Sequence, residues 1–229
     1  MPVAADWLRE RFGYVCRDAA LLEAALTHRS AAALNNERLE YLGDAVLSFV
    51  VAEQLYRALP QAPEGDLSRL RASLVSGETL AAVAAEQGLG DWLVLGEGEL
   101  KSGGYRRKSI LADALEALVG AIYLDGGMES VRGVVERLLH SRLANLPPAA
   151  ELKDSKTRLQ ETLQGHGQDL PVYTVLAVFG PPHQQIFRVR CDLPGLGFGA
   201  EAEGSSRRRA EQEAARLVQD ELRQRGSGA

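Results

Sequence analysis

The sequence has few cysteines and no long apolar run. Its two cysteines, Cys16 and Cys191, lie far apart in 229 residues, which excludes a disulfide framework and a CxxC-type metal site. No segment approaches the roughly 18 to 20 apolar residues needed to span a bilayer. Residues 1–10 lack the basic start and apolar core of a secretion signal. We therefore expect a cytoplasmic protein with two reduced thiols and no membrane partner.

The chain also lacks an excess of basic residues. It has 26 Lys and Arg against 31 Asp and Glu, a net charge of −5. This balance argues against a nucleic-acid partner, because phosphate binding is driven by basic side chains that release counterions. The excess acid lies entirely in residues 1–150, which hold 15 basic and 20 acidic residues, whereas 151–229 hold 11 of each. A nucleic-acid site would therefore have to be a local basic patch.

The first part of the sequence has a helical pattern that ends near two prolines. Up to about Leu146, apolar residues recur at three and four positions, and Ala, Leu, Glu and Arg dominate. No strand is predicted there. Pro147 and Pro148 interrupt the segment 145–154, whose small and charged residues offer little to pack. We predict an all-α domain over residues 1–146 and a linker over 147–153.

The second part alternates between helical and β-rich segments. A helix is predicted from about Ser155 to Gly165 and another from about Ser206 to Arg223. Between them, Gly and Pro separate the runs VYTVLAVF, IFRVRCD and LGFGAEAE, which predict three antiparallel strands. Such a sheet buries one face under the two helices. The sequence therefore predicts an α+β domain, of order α-β-β-β-α, over residues 154–225.

Two predicted helices of the first domain each carry an acidic face. In NNERLEYLGDAVL, Glu37, Glu40 and Asp44 fall within about 60° of one another at 100° per residue. In SILADALEALVGAIYL, Asp113 and Glu116 share one face. Leucine, valine and isoleucine form the opposite faces: Leu39, Leu42, Val46, Leu111, Leu115, Leu118 and Ile122. Like charges at this spacing repel, so the acids are either solvated helix faces or the ligands of Mg²⁺ or Mn²⁺.

The same segments resemble the bacterial ribonuclease III family. The motifs ERLEYLGDAVL, THRS, PEGDLSRLRA and GELKSGGYRRKSILADALEAL occur in the family's order, and the last domain resembles a double-stranded RNA-binding domain. The resemblance covers nearly the whole chain. It implies a homodimer with apolar surface near the signature helix, hydrolysis of duplex RNA, and no organic cofactor.

The resemblance also implies a role for each acid. Glu40, Asp44, Asp113 and Glu116 would hold Mg²⁺, with Mn²⁺ as a substitute, and Asp44 and Glu116 would be catalytic. Glu37 and Glu64 would assist substrate contact or the subunit interface. Divalent cations supply hydroxide near neutral pH and stabilise a departing 3′ oxygen, so the expected products are a 5′ phosphate and a 3′ hydroxyl. The implied homodimer would cut one strand with each subunit, which would leave short 3′ overhangs. The resemblance also implies that the substrates are ribosomal RNA precursors and structured messenger or transfer RNA transcripts.

Several basic and polar residues are expected to contact the RNA. In the first domain these are His28, Asn36, Lys101, Arg106 and Arg107. In the second they are Gln160, Glu161, Gln164, His183, Arg207, Arg208 and Arg209. His28 is not needed as a general base. The alternatives are an ordinary exposed loop around Lys101, helix caps at Asn36 and in the Thr27–Ser30 segment, and a plain amphipathic helix at Gln160. Arg209 replaces a lysine common in this cluster, and the additional acid Glu213 is expected to weaken affinity slightly.

Two other functions explain part of this pattern. A non-catalytic duplex-RNA-binding protein would explain the second domain, but the four intact acids argue against it. A hydrolase of small phosphate esters would explain the acids and leave the second domain without a purpose. Activity on duplex RNA and on free nucleotides would distinguish these functions.

Overall fold

The structure, a computed structural model, describes residues 2–149 and 151–226, with side chains for 4–149 and 151–225. The chain forms two compact units, one up to Leu152 and the other from Lys153. In the described ranges no helix is both long and apolar enough to cross a membrane.

The first unit is helical, as predicted. Its α-helices are α1 (Pro2–Phe12), α2 (Ala19–Leu26), α3 (Glu37–Ala58), α4 (Glu64–Leu74), α5 (Gly77–Glu86), α6 (Glu97–Lys101) and α7 (Lys108–Ala144), with short 3₁₀ turns at Leu89–Trp92 and Gly104–Arg106. Local sequence starts several of them: the Asp18 carboxylate accepts from the first N–H groups of α2, and the Ser76 hydroxyl caps α5. The β pairing among this unit's described residues is one isolated bridge between Thr27 and Val94.

Helices α3 and α7 cross at two glycines. A Cβ added at Gly43 would lie 1.8 Å from the backbone oxygen of Glu116, and one added at Gly120 would lie 2.3 Å from that of Leu39. The two backbones are therefore in direct contact, which only glycine permits. The acidic residues flank this contact: Glu40 and Asp44 lie beside Gly43 on α3, and Glu116 precedes Gly120 on α7. The crossing thus brings the two predicted acidic faces together.

Helix α7 is bent at Gly127, whose φ of 75° and ψ of −177° are not helical. Just before the bend, the Asp125 carboxylate is 4% exposed and accepts hydrogen bonds from the Tyr14 hydroxyl at 2.5 Å and from the Arg17 and Asp18 backbone N–H groups, each at 2.9 Å. These bonds fasten the segment between α1 and α2 to the long helix.

The predicted linker is partly packed. Leu146, Ala149 and Leu152 are partly buried against the core of the first unit. The expectation that the small and charged residues of this segment offer little to pack was wrong for Ala149, and it did not consider Leu146 at the end of the predicted domain or Leu152 in the predicted linker. Apolar residues spaced three apart can still cover a core after the helix has ended.

The second unit has the predicted α-β-β-β-α order. It consists of α8 (Ser155–Gly165), β1 (Val172–Phe179), β2 (Ile186–Leu193), β3 (Phe198–Gly204) and α9 (Arg207–Gly226), with the strands antiparallel in the order β1-β2-β3. Both helices share one core with the inner face of the sheet, formed by Leu159, Leu163, Cys191, Leu193, Ala202, Ala214, Ala215 and Val218. Strand β3 starts two residues later than predicted, because Gly197 has a left-handed φ of 68° that ends a 3₁₀ turn there.

Candidate active site

Three carboxylates from the two crossing helices converge. Oxygen atoms of Glu40, Asp113 and Glu116 lie within 4.8 Å of one another, and all three side chains are partly buried. Asp44 follows Glu40 by one turn of α3 and is exposed. It lies outside this group of three, but its negative charge acts on Glu40 and Glu116.

Burial and mutual repulsion make these carboxylates reluctant to ionise. Burial, followed by the charges of Asp44, Asp113 and Glu40, raises the pKa of Glu116 to about 7. The pKa of Glu40 is also raised, first by burial and then by Asp113, and the pKa of Asp113 is raised by burial. A hard divalent cation relieves both effects, since Mg²⁺ and Mn²⁺ prefer carboxylate oxygens. The donor set therefore fits such an ion.

Two of these carboxylates, Glu40 and Asp113, line a polar cleft of about 240 Å³. Its walls contain residues from the loop after α2, the start of α3, α6 and the start of α7: His28, Arg29, Asn36, Glu37, Glu40, Glu99, Arg107, Ser109, Ile110 and Asp113. The structure thus brings the predicted residues His28, Asn36, Glu37 and Arg107 to the same cleft as the carboxylates.

Two ion pairs form the rim of the cleft. Arg29 lies 3.3 Å from Glu37, and Arg107 lies 2.8 Å from Glu99. His28 and Arg29 lower the pKa of Asp113 from what burial alone would give, and Arg29 does the same for the pKa of Glu40. Arg29 and Glu99 were not among the predicted site residues. Both lie inside the motifs THRS and GELKSGG, so their position was a usable signal, although their pairing was not.

His28 and Asn36 have different surroundings. The Nδ1 atom of His28 lies 2.8 Å from the Ser30 hydroxyl, which also accepts from the backbone N–H of Gly96. His28 therefore belongs to a fixed loop at the cleft. Asn36 is 2% exposed, and its Nδ2 atom is buried without a hydrogen-bond partner. Asn36 is thus part of the cleft wall and offers almost no surface for direct RNA contact in this conformation.

Each of the two units matches a known family model. Residues 18–143 match the family model described as Ribonuclease-III-like, and residues 155–222 match the double-stranded RNA binding motif. The curated Ribonuclease 3 of Vibrio campbellii is 54% identical over 217 residues, which cover 95% of this chain and 96% of that protein. The one from Alkalilimnicola ehrlichii is 57% identical over 215 residues, covering 94% of each. This chain belongs to the ribonuclease III family.

A solved structure agrees with this assignment for the first unit. The nuclease domain of Campylobacter jejuni ribonuclease III is similar with a TM-score of 0.59 and 42% sequence identity, covering 61% of this chain and 99% of that one. Membership of the family makes this chain an endoribonuclease of the double-stranded RNA type, with a helical nuclease domain followed by a double-stranded RNA-binding domain.

Three of the residues predicted to assist or to contact RNA in this ribonuclease III domain lie elsewhere than the cleft walls. Glu64 begins α4, accepts from the Ser68 hydroxyl at 2.7 Å, and lines a separate cavity of about 430 Å³ beside Phe49 and Tyr56. Lys101 pairs with Glu97 at 3.3 Å. The Arg106 guanidinium lies 5.0 Å from the Tyr105 ring centroid. Both basic residues are exposed near the cleft-lining Arg107.

In the RNA-binding domain, the predicted contact residues are all exposed. Gln160, Glu161 and Gln164 lie along α8, where Glu161 accepts from Lys153 at 2.6 Å, and His183 lies in the turn between β1 and β2. The three arginines, Arg207, Arg208 and Arg209, begin α9. Arg207 pairs with Glu211 at 2.8 Å, and Arg209 donates to the Ser205 hydroxyl at 3.1 Å.

Proposed function

We propose that this ribonuclease III family member hydrolyses phosphodiester bonds of double-stranded RNA with Mg²⁺ held by Glu40, Asp44, Asp113 and Glu116, and with Mn²⁺ as a substitute. The observation that carries this proposal is the convergence of three carboxylates from two helices within 4.8 Å. A side chain that served only solubility would have no reason to be partly buried beside two like charges.

The chain's own residues prepare the site for the reaction. A bound divalent cation supplies hydroxide near neutral pH and offsets the charge of the phosphate. With a pKa of about 7, Glu116 is partly protonated at neutral pH, so it must release a proton when it becomes a ligand. Asp44, which is exposed, is the carboxylate that substrate and ion can reach most directly. The proposed products have 5′ phosphates and 3′ hydroxyls.

Duplex RNA is held by residues from both domains. We assign the nuclease domain to residues 1–146, the linker to 147–153 and the RNA-binding domain to 154–225. The first domain contributes His28, Lys101, Arg106 and Arg107 around the cleft, while Asn36 supports its wall and Glu37 positions Arg29. The second contributes the exposed edge of α8, the His183 turn and the three arginines of α9. Such domains recognise about 16 base pairs by shape, so sequence preference should be weak.

An exposed aromatic stripe on α3 supports a homodimer. Tyr41, Phe49 and Tyr56 are 83%, 52% and 73% exposed, and at 100° per residue they lie within about 80° of one another. Exposed apolar surface of this kind marks an interface. The solved Campylobacter jejuni nuclease domain has a region involved in dimer formation. In the proposed dimer each subunit cuts one strand, which leaves short 3′ overhangs, and Glu64 lies beside this stripe.

The cellular role follows from the family. We infer that the substrates are ribosomal RNA precursors and structured messenger and transfer RNA transcripts, processed in the cytoplasm.

The decisive experiment compares the wild-type protein with Asp44→Asn on a duplex RNA, with and without Mg²⁺. We expect cleavage only by the metal-loaded wild type, and duplex binding by both proteins. Asp91→Asn, an exposed aspartate in the Leu89–Trp92 turn, is the matched control and should cleave normally. Equal cleavage by the wild type and Asp44→Asn would contradict the proposed site. Hydrolysis of free nucleotides instead of duplex RNA would contradict the proposed substrate.

A further inference from the structure

A buried carboxylate lies beneath the basic start of α9. Glu211 is 8% exposed. Its Oε1 accepts from the Nε of Arg207 at 2.8 Å, and its Oε2 accepts from the Nζ of Lys156 at 2.7 Å. Lys156 belongs to the first turn of α8, so one carboxylate joins the N-terminal ends of the two helices.

Lys156 is restrained by a second contact. Its ammonium lies 4.3 Å from the centroid of the Tyr173 ring, in cation–π geometry. The side chain remains 35% exposed, and that of Arg207 remains 65% exposed. Both cations are therefore held by the protein while part of each still faces solvent, where a phosphate could reach it.

The carboxylate is ionised in this setting. Burial opposes its ionisation, but the hydrogen bonds from Lys156 and Arg207 outweigh burial and lower the pKa of Glu211. The set of three charges keeps a net charge of +1, and its negative member is the one that is hidden from solvent.

We infer that Glu211 is a positioning residue for duplex RNA: it orients Lys156 and Arg207 as one cationic unit beside Arg208 and Arg209, and so raises affinity although it is acidic. The inference rests on the proposed RNA-binding function. A side chain that is ordered before binding loses less conformational freedom when it contacts phosphate. The backbone N–H groups at the start of α9 attract the same phosphates.

Glu213, two residues later on α9, provides a matched control. Its carboxylate accepts from the Arg216 guanidinium at 3.0 and 2.6 Å, and its side chain is 45% exposed. Glu213→Gln removes the same charge from the same helix as Glu211→Gln, without releasing Lys156 or Arg207.

The test measures binding of the full-length protein to a fluorescent RNA duplex of about 16 base pairs, in EDTA, over a range of salt concentrations. We expect Glu211→Gln to bind at least fivefold more weakly than the wild type. The slope of log K against log salt should shrink by about 0.9, equivalent to one phosphate contact. Glu213→Gln should bind as tightly as the wild type or more tightly, with an unchanged slope. Wild-type affinity and slope in Glu211→Gln would overturn the inference.

A double variant that lacks both cations distinguishes a positioning role of Glu211 from a role in folding. In Lys156→Gln/Arg207→Gln protein the carboxylate has no cation left to orient, so Glu211→Gln should cause no further loss of affinity. An equal loss in that background would show that Glu211 acts through the fold and would overturn the inference; thermal melting of each variant accompanies the binding data. If the wild type itself failed to bind duplex RNA, the proposed function would be the statement refuted.

Discussion

Gly43→Ala tests whether the glycine crossing of α3 and α7 assembles the carboxylates. The new Cβ would lie 1.8 Å from the backbone oxygen of Glu116 and 2.9 Å from the backbone nitrogen of Gly120, whereas real Cβ atoms essentially never approach closer than 3.0 Å. Because both neighbours are backbone atoms, a side-chain rotation cannot relieve the clash. The two helices must therefore separate by roughly 1.2 Å at this point, since packed interiors have no spare volume.

This separation of the helices is large compared with the positional tolerance of a metal site. Metal–ligand distances tolerate about 0.2 Å, and a misplacement of about 1 Å at a catalytic centre costs on the order of 100-fold in rate. Overpacking of this kind also destabilises a core by about 1 to 3 kcal/mol. We expect Gly43→Ala to lower kcat/KM for duplex RNA by about two orders of magnitude and to weaken Mn²⁺ binding measured by calorimetry. Duplex binding should be retained, because the second unit has its own core.

Gly133→Ala is the matched control on α7, because a Cβ at this exposed position meets nothing within 4 Å. A glycine-to-alanine change that a helix accommodates stabilises by about 0.4 to 1 kcal/mol, so this variant should melt at or above the wild-type temperature and cleave normally. Gly43→Ala protein with wild-type cleavage and wild-type Mn²⁺ affinity would refute the claim that the crossing sets the carboxylate spacing.

Three further predictions concern pH, assembly and stability. Burial and acidic neighbours raise the pKa of Glu116 to about 7, so the wild type without metal should lose stability as pH rises from about 4.5 through 7. In EDTA, Glu116→Gln should therefore match the unfolding free energy of the wild type near pH 4 and exceed it by about 1 to 3 kcal/mol at pH 8. Urea titrations in which this difference does not grow with pH would contradict the prediction. Tyr41→Ser should raise the dimer dissociation constant at least tenfold in sedimentation equilibrium, because Tyr41 is 83% exposed within the apolar stripe, whereas Val15→Ser, also exposed but off the stripe, should leave it unchanged. Asp125→Asn should lower the unfolding free energy by about 1.5 to 3 kcal/mol, because a neutral amide replaces the ionised carboxylate that accepts hydrogen bonds from Tyr14 and from the Arg17 and Asp18 N–H groups. An unchanged thermal melting temperature would show that these hydrogen bonds contribute little stability.

The fold could be predicted from local signals where these act within one element. In the first unit, apolar residues spaced three and four apart predict helices. In the second, β-rich runs bounded by Gly and Pro predict strands, and the α-β-β-β-α order is confirmed. Boundaries set by backbone conformation were less predictable. Leu196 was expected in β3, but the left-handed Gly197 separates it from the strand. The bend at Gly127 has no counterpart in the helical pattern either, since glycine is also tolerated inside helices.

The two acidic helix faces of the candidate site were predictable from the sequence, but their meeting was not. The 100° period places the acids on two helix faces, and the resemblance to ribonuclease III implies that they share an ion. That these faces meet depends on backbone contact between Gly43 and Glu116, which a single sequence does not encode in any local pattern. The same applies to the rim pairs of Arg29 with Glu37 and of Arg107 with Glu99, since each joins two different segments.

The distribution of ion pairs shows how an acidic protein can combine the cation site that we propose with an RNA-binding domain. On α9, acids and bases are interleaved: Arg216 pairs with both Glu213 and Asp220, so these charges cancel within the helix. At the candidate site, among the residues that the structure describes, none of Glu40, Asp44, Asp113 and Glu116 forms an ion pair with a lysine or arginine.

The excess of acid over base in residues 1–150 therefore includes four carboxylates that form no direct ion pair with a described lysine or arginine. For Glu116, burial makes the ionised form unfavourable and its acidic neighbours add to this, so that its pKa is raised to about 7. This unfavourable free energy of ionisation persists whenever no cation is bound. A chain that pairs its acids so thoroughly on α9 could have placed a lysine beside Glu116. Because it places three more acids there instead, the divalent cation that we propose would account for both the composition and the geometry.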